Sequence, residues 1–421
     1  MPASPRTARA INDRLALHLL QDEGPLTAGR LKELTGLSRP TVADLVERLT
    51  AAGLIEVAGE AGEQRRGPNA KLYGLVADRA QLAALDVRTE GVAVRVSDLV
   101  GRVLAEASVP IAGDIGTGPA VEQAVTLVER TVKEAGVNRL HTVGIGAPGL
   151  IDPAAGELRN SIGLPEWHRR LVAALQERFP HARVSVENET NLAALAEQRE
   201  GAARDRDTFV LLWLGHGTGA AVVLDGTLRR GASGGTGEIG FLPVPGTGAL
   251  PSAADCEGGF HSLAGSAAIT ALAAQYGLTA RPEGEEPSGA AVVRAALERG
   301  GSEGSPRFLD ALADRVALGV ASVVAVLDPG CVVLGGETGR AGGPELAGRV
   351  AERLRRMTPL PTEVRPSLLG GTAVLRGALL TARQSAQEEL FGTAETGRPG
   401  DGQGPSSPSP DAPPTLRGLD Q

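Results

Sequence analysis

Three glycine-rich turns are the segments of this chain whose residue types could hold a ligand. In each case an apolar stretch typical of a buried strand runs into the turn, and these strand-and-turn segments occupy residues 142–149, 209–219 and 331–336. Because glycine leaves backbone N–H groups unhindered, such a turn can cradle a phosphate or a small ligand at the end of a strand. A tight turn between a strand and a helix also needs glycine for structural reasons alone. Three such turns in one chain favour a ligand site.

The N-terminal segment 27–49 has the spacing of a helix-turn-helix. Thr27 is placed to cap one short helix, Gly36 supplies a tight turn, and Ser38 is placed to cap a second helix. Pro40 falls in the first turn of that second helix, where its missing N–H costs nothing. The pattern therefore predicts two helices joined by a turn, an arrangement with which proteins enter the major groove of DNA.

The second predicted helix leaves Arg39 and Thr41 on its outer surface. The apolar residues at helical spacing must face inward instead, and these are Val42, Leu45, Val46 and Leu49. The N-terminal end of a recognition helix is the part that meets base edges in the major groove. We therefore assign Thr27, Ser38, Arg39, Pro40 and Thr41 to a predicted DNA-binding surface.

A basic loop follows the second helix. Residues 54–57 and 71–75 are predicted strands, and the polar loop between them carries Arg65, Arg66 and Asn69. A short cationic loop of this kind can approach a phosphate backbone or a minor groove. A pair of arginines alone is as readily a solvated surface. Its position one hairpin after a recognition helix favours DNA contact by these three residues.

These elements, with an amphipathic first helix over residues 10–20, predict a winged helix-turn-helix domain at residues 8–78. Its expected partner is a double-stranded DNA operator. Residues 1–77 hold ten Lys and Arg against nine Asp and Glu, whereas the whole chain holds 42 against 50. The acidity therefore belongs to the rest of the chain, and the DNA-binding surface would be a local patch.

Further features bound the kind of protein. The cysteines Cys256 and Cys331 have no metal-ligand spacing, and no apolar run has the length of a membrane span or the form of a signal-peptide core. These observations predict a cytoplasmic protein without a disulfide framework. Residues 393–421 are rich in Gly, Pro and Ser, which cannot build a core, so a disordered tail is predicted there.

From about residue 80 onward, predicted strands alternate with predicted helices, which indicates an α/β body. Four segments of this body resemble, in sequence and in order, those of the ROK family (repressors, open reading frames and kinases). They occupy residues 144–152, 186–197, 225–240 and 332–337. Because they also follow a winged helix, the resemblance extends over about residues 10–385.

The resemblance implies an actin-like, ribonuclease H-like sugar-kinase fold with two lobes. The first lobe would span residues 80–187 with a returning helix at residues 372–390, and the second lobe would span residues 188–371. Sugar would bind in the cleft between the lobes. The resemblance also implies a homodimer or a higher homo-oligomer.

Several residues depart from the pattern of the kinases in this family. Arg88 and Glu90 stand where those kinases carry glycines that let ATP phosphates approach, and Glu90 would also repel a polyphosphate. Glu189 replaces the catalytic aspartate with a carboxylate that is one methylene longer, which displaces the base. The structural zinc ligands are reduced to Cys256, with Phe241 in place of a histidine. We therefore predict no catalytic residue, no metal and no cofactor.

Some sugar-binding character persists in the sequence. The resemblance places Asn188 and Glu238 at positions that hydrogen-bond sugar hydroxyls, and Glu189 keeps a carboxylate next to Asn188. His261 is close enough in sequence to replace a lost sugar contact, although a solvated or packed histidine is the more frequent case. Gly163, by contrast, stands in place of a sugar-binding asparagine. Asn188, Glu189, Glu238 and His261 are therefore the predicted effector site.

Three functions are open at this point. The favoured one is a dimeric transcriptional regulator of carbohydrate-related genes, a repressor that binds a palindromic operator and senses a sugar or phosphosugar. The alternative is an ATP-dependent hexose or amino-sugar kinase with an appended DNA-binding domain, for which Glu189 as base is the only support. A constitutive DNA-binding protein that senses nothing is the third, suggested by the altered cleft residues.

Overall fold

The structure is a computed structural model that describes residues 5–61, 70–89, 91–152, 154–159, 165–254, 257–284, 286–298 and 304–392. Several positions named above lie outside these ranges: Arg65, Arg66, Asn69, Glu90, Gly163, Cys256 and the predicted tail at residues 393–421. Within the described ranges, no helix is both long and apolar enough to cross a lipid bilayer.

The N-terminal unit is a small helical domain with an antiparallel sheet. Its described helices are α1 (Pro5–Asp22), α2 (Ala28–Thr35) and α3 (Arg39–Ala51). Its described strands are β1 (Leu26–Thr27), β2 (Ile55–Ala61) and β3 (Ala70–Leu75), in the order β1-β3-β2. Apolar side chains from the helices and from β2 form one core, among them Leu17, Leu31, Leu45, Leu49 and Ile55. The predicted winged helix-turn-helix is thus confirmed as the fold of this unit.

A five-stranded sheet forms the centre of the first lobe. Its strands are β4 (Gln81–Arg88), β5 (Gly91–Asp98), β6 (Val103–Pro110), β7 (Thr142–Ala147) and β8 (Arg183–Asn188), in the order β6-β5-β4-β7-β8. The first three strands are antiparallel, and β7 and β8 continue the sheet in parallel with β4. Helices α4 (Thr117–Glu134) and α5 (Glu166–Arg178) contribute Val128 and Leu171 to the apolar core on one face.

A second five-stranded sheet forms the centre of the other lobe. Its strands are β9 (Phe209–Leu214), β10 (Thr218–Leu224), β11 (Thr227–Arg229), β12 (Cys331–Gly335) and β13 (Glu363–Pro366), in the order β11-β10-β9-β12-β13. The helices between and around these strands are α6 (Glu189–Glu200), α7 (His261–Ala264), α8 (Ser266–Gln275), α9 (Ser288–Glu298), α10 (Gly304–Leu327) and α11 (Gly336–Met357).

Strand β9 shows why both faces of this sheet are covered. Every residue but one in Phe209–Leu214 is buried, and alternate side chains enter different cores. Val210 and Leu212 pack with the helices α7–α11, whereas Leu211 packs on the opposite face with α6. A strand that is apolar throughout is expected when helices lie on both faces of the sheet.

The last helix, α12 (Ala373–Gly392), packs with α6 between the two sheets. The two helices approach so closely that a Cβ at Gly377 would lie 2.0 Å from the carbonyl oxygen of Leu192. Only glycine fits at this position. The core on this side joins Ala84 of the first sheet, Leu211 of the second sheet and Val374 of α12. The mixed α/β, two-lobed architecture confirms the predicted fold class.

Candidate functional site

A cavity of about 530 Å³ lies between the two lobes. Its walls include Asp86 and Arg88 from the end of β4, the turn at residues 148–150, the turn at residues 216–220, and Glu337 at the start of α11. This volume is within the range of pockets that bind small molecules. Two of the glycine-rich turns predicted from sequence therefore line this cavity, and the third leads directly into Glu337.

Arg88 connects the two lobes across this cavity. Its Nη2 lies 2.8 Å from Oδ2 of Asp86, and its Nη1 lies 3.0 Å from Oε1 of Glu337. The same guanidinium also donates to the carbonyl oxygen of Gly371, at 3.3 Å. Burial raises the pKa of Asp86, and the Arg88 charge counteracts that rise. Where kinases of this fold need an unobstructed turn for phosphates, this chain has an arginine held by two carboxylates.

Asn188 occupies the end of β8 and caps α6. Its Oδ1 accepts hydrogen bonds from the backbone N–H groups of Thr190 and Asn191, at 2.9 and 3.3 Å. Its Nδ2 donates to the carbonyl oxygen of Gly149 and to Oε2 of Glu189, both at 3.0 Å. An asparagine side chain has two donor hydrogens and two acceptor lone pairs. All four are used here, so Asn188 ties a helix cap, a glycine-rich turn and a carboxyl group together.

Two glutamates of the cavity have altered acidity. Burial raises the pKa of Glu189 to about 8, and the nearby carboxylates of Asp86, Glu238 and Glu337 act in the same direction. Partial burial also raises the pKa of Glu238, whose side chain is still open to solvent. The Glu189 carboxyl is therefore mostly protonated at pH 7 and can donate a hydrogen bond. A protonated carboxyl cannot accept the proton of a sugar hydroxyl as a general base would.

His261 is separated from the cavity by a glycine-rich turn. It begins α7, and a Cβ at Gly217 would lie 3.9 Å from its imidazole ring. Burial lowers the pKa of His261, and the residue is not among those that line the described cavity. Phe241 does line it. In the described ranges, no group of three or more His, Cys, Asp or Glu side chains could hold a metal ion.

The predicted helix caps at Thr27 and Ser38 in the N-terminal unit have the expected geometry. The Thr27 side chain accepts from the backbone N–H of Arg30 at 3.1 Å, and Gly36 ends α2 with a left-handed φ of 70°. Ser38 accepts from the backbone N–H of Thr41 at 3.3 Å, and their hydroxyl groups lie 2.8 Å apart. These contacts satisfy backbone groups that have no partner inside the helices.

The outer surface of α3 is open to solvent at its N-terminal end. Arg39 and Pro40 are exposed, and Thr41 is half-buried. Arg48, one helical turn from the end, is instead held by Asp13 of α1 and by Asp44. This leaves Arg39 as the exposed cation at the N-terminal end of α3, the end that the sequence predicts to meet DNA.

The structure shows a connection between the cavity and the N-terminal unit that the sequence patterns do not predict. Val374 of α12 lines the cavity, and Phe391 at the other end of the same helix is buried in the core of the N-terminal unit. The Phe391 ring meets the His18 imidazole edge-to-face, with centroids 5.8 Å apart. Nε2 of Gln387 donates to Oε1 of Gln21 at 2.7 Å. One 20-residue helix, about 30 Å long, therefore contacts both sites.

Comparison with known families agrees with this architecture. A sequence model of the ROK family matches residues 83–385, from β4 through most of α12. The chain belongs to the ROK family. A model of the MarR family matches residues 11–67, which cover most of the winged helix. The two matches together span both the N-terminal unit and the two-lobed body of this ROK protein.

Individual relatives include a repressor and a kinase. The chain is 25% identical to a xylose repressor from Caldicellulosiruptor bescii over 337 residues, covering 78% of this chain and 83% of that one. The structure of a ROK family transcriptional regulator, a homologue of the E. coli MLC protein, matches with a TM-score of 0.72 at 22% identity, over 92% and 98% of the two chains, and shows the shared fold. A ROK hexokinase from Thermus thermophilus matches with a TM-score of 0.58 at 30% identity, over 73% and 99%.

Proposed function

We propose that this ROK protein is a DNA-binding transcriptional repressor whose kinase-like cleft senses a sugar. The observation that carries the proposal is α12, which lines the cleft at Val374 and completes the core of the winged helix with Phe391. Similarity to a xylose repressor over most of both chains supports the same function.

The helix α12 offers a direct route for the response. A sugar that binds more tightly to one arrangement of the lobes shifts the population toward that arrangement. Because α12 packs on the first sheet and on α6, which packs on the second sheet, and because α12 ends inside the winged helix, a change in lobe separation would move the winged helix as well. In a dimer, this movement would alter the spacing of two recognition helices and hence the affinity for a palindromic operator.

The effector contacts form the finer part of the proposal. Glu238 is open to solvent in the cleft, so its carboxyl can exchange water for a sugar hydroxyl. Asn188 and Glu189 already share a hydrogen bond and would position the other side of the ligand. His261 contacts the turn that contains Gly217, so it would influence the ligand through that turn.

A second candidate, an ATP-dependent sugar kinase, has one specific observation in its favour. Glu189 presents a carboxyl group to the cleft in the position expected of a catalytic base. Three points weigh against it: Arg88 stands where the resemblance implies glycine in kinases, Asp86 and Glu337 bind that arginine, and burial raises the pKa of Glu189 to about 8. We therefore propose that the body retains the kinase fold without phosphoryl transfer.

The repressor proposal can be tested with the full chain and random double-stranded DNA. Repeated selection should enrich a palindromic sequence, because two winged helices would bind equivalent half-sites. The affinity for that sequence should then change when a sugar from a panel of pentoses, hexoses and amino sugars is added. Failure to enrich any sequence would contradict the DNA-binding function. An operator whose affinity no sugar alters would contradict the sensing function.

A further inference from the structure

The charged side chains that face the cleft are strongly unbalanced. Four carboxyl groups line it, on Asp86, Glu189, Glu238 and Glu337, and Glu189 is the one that is mostly protonated at pH 7. Arg88 supplies the guanidinium among the described lining residues, and Asp86 and Glu337 already bind it. An anionic ligand would therefore meet carboxyl groups and a cation whose charge is already compensated.

Arginines next to the cleft are also engaged by carboxylates. Arg159 donates its backbone N–H to Leu150 of the cleft wall, but its side chain lies 2.7 Å from Asp152. Arg230 lies 2.7 Å from Glu187, the residue before Asn188. Turning either guanidinium toward a ligand phosphate would break an existing ion pair.

The backbone of the second glycine-rich turn is similarly occupied. The N–H of Gly215 donates to the carbonyl oxygen of Gly217 at 3.0 Å, and the N–H of Ala220 donates to that of Gly237 at 2.8 Å. Phosphate binding by a glycine-rich turn depends on backbone N–H groups that are free to point at the ligand. The two donors at the ends of this turn are already used within the protein.

The remaining groups of the cleft suit hydroxyl groups. The Oγ1 atom of Thr218 is buried and has no hydrogen-bond partner among the described residues, although Thr218 lines the cavity. Trp213 contributes a half-buried indole to the same wall. A sugar hydroxyl can both donate and accept, so it can pair with a carboxyl group or with the Thr218 hydroxyl. The apolar ring of Trp213 can cover the C–H face of a sugar.

We infer that the cleft binds an unphosphorylated monosaccharide and rejects the corresponding sugar phosphate, an inference that rests on the proposed sensing function. The carboxylates of Asp86, Glu238 and Glu337, the paired Arg88 and the occupied N–H groups of Gly215 and Ala220 all disfavour a phosphate. The same carboxyl groups, with Thr218 and Trp213, accommodate the hydroxyl groups and the C–H face of an uncharged sugar.

The experiment compares each sugar with its own phosphate in solutions of the full chain. Suitable pairs are glucose and glucose 6-phosphate, N-acetylglucosamine and N-acetylglucosamine 6-phosphate, and xylose and xylose 5-phosphate. Binding is followed by calorimetry and by tryptophan fluorescence, since Trp213 is one of the two tryptophans in the chain and lines the cleft. We expect one uncharged sugar to bind, and its phosphate to bind at least about tenfold more weakly.

A charge variant separates repulsion from shape. In Glu337→Gln, a carboxylate is removed and Arg88 loses one of its partners, so the affinity ratio should move toward the phosphate by about tenfold. Glu122→Gln removes an exposed carboxylate on α4, outside the cleft, and should leave the ratio unchanged. An unchanged ratio in Glu337→Gln would overturn the electrostatic argument.

The outcomes also distinguish this inference from the proposed function. A sugar phosphate that binds as tightly as its sugar, or more tightly, and that alters operator affinity would overturn the inference and leave the sensing function intact. If neither form of any sugar binds the chain or alters operator affinity, the sensing function and this inference are both wrong.

Discussion

Nη1 of Arg88 lies 3.0 Å from Oε1 of Glu337, and this ion pair joins the first strand of one lobe to the first turn of α11 in the other. Both side chains are only partly exposed, and the buried Asp86 forms a second ion pair with Arg88. The pair lies at the turn where the sequence resemblance implies glycines in kinases, and it links the two halves of the cleft. The arginine at position 88 is therefore relevant both to phosphoryl transfer and to the movement of the lobes.

The first prediction concerns phosphoryl transfer. We expect purified protein to release no sugar-dependent ADP with glucose, N-acetylglucosamine, mannose or xylose, because the paired Arg88 replaces a glycine implied by the resemblance and burial raises the pKa of Glu189 to about 8. A coupled assay that follows NADH oxidation measures this directly. ADP release that requires sugar and disappears in Glu189→Gln would contradict the prediction and favour the kinase alternative.

The second prediction concerns DNA contacts. Arg39→Ala should weaken operator binding by roughly 1–3 kcal/mol and relax sequence preference, since a base-edge contact would be lost. The double variant Arg65→Ala, Arg66→Ala should weaken binding to all sequences and flatten its salt dependence, because those residues are predicted to meet phosphates. Arg130→Ala, an exposed arginine on α4, is the matched control. Unaltered operator affinity in both test variants would contradict the predicted interface.

The third prediction concerns the route through α12. Gln387→Ala removes the hydrogen bond to Gln21 and should loosen α12 from α1 by about 1 kcal/mol. We expect sugar binding to be unchanged and the effect of sugar on operator affinity to be reduced. Gln384→Ala, on the same helix, removes only a contact with Glu388 within α12 and serves as control. Equal responses in the two variants would indicate that coupling does not run through the contact between α12 and α1.

Apart from the fold class that the family resemblance implies, the features that the residues themselves predict are local ones. The caps at Thr27 and Ser38 depend on residues within three positions of each other, so the pattern alone predicts them. The partner of Arg88 is 249 residues away in sequence, and only the fold brings Glu337 to it. Phe391 shows the same limit, because nothing in its own segment indicates burial in the core of the N-terminal unit.

The effector site illustrates a different limit. Family positions placed Asn188, Glu189 and Glu238 together, and all three line the cavity. Only its distance along the chain indicates His261 as a site residue, and the turn at Gly217 lies between it and the cavity. Trp213 and Thr218 were missed as site residues because their strand pattern is that of ordinary buried sheet residues.

The fourth prediction concerns pH. The pKa of Glu189 is about 8 in the folded protein against an ordinary value of 4.5. Above pH 4.5 the unfolded chain loses this proton while the folded chain keeps it, so the free energy of unfolding falls as pH rises toward 8. Relative to Glu189→Gln, which cannot titrate, the wild type should lose up to roughly 4 kcal/mol across this window. Urea unfolding at pH 5, 6, 7 and 8 tests this, and a pH-independent difference would contradict it.

The last prediction separates sensing from DNA binding. Glu238→Ala should leave operator affinity near the wild-type value without sugar, because Glu238 lies in the cleft and the recognition residues lie on α3. With sugar, the change in affinity should be reduced, since losing one hydrogen-bond partner of a ligand hydroxyl typically costs about 1–3 kcal/mol. Asn188→Ala should act in the same direction but also lower stability by about 1 kcal/mol, because Asn188 caps α6. Operator titrations with and without the best-binding sugar measure both effects, with Glu122→Gln as control. A full sugar response in both cleft variants would place the sensing site elsewhere in the molecule.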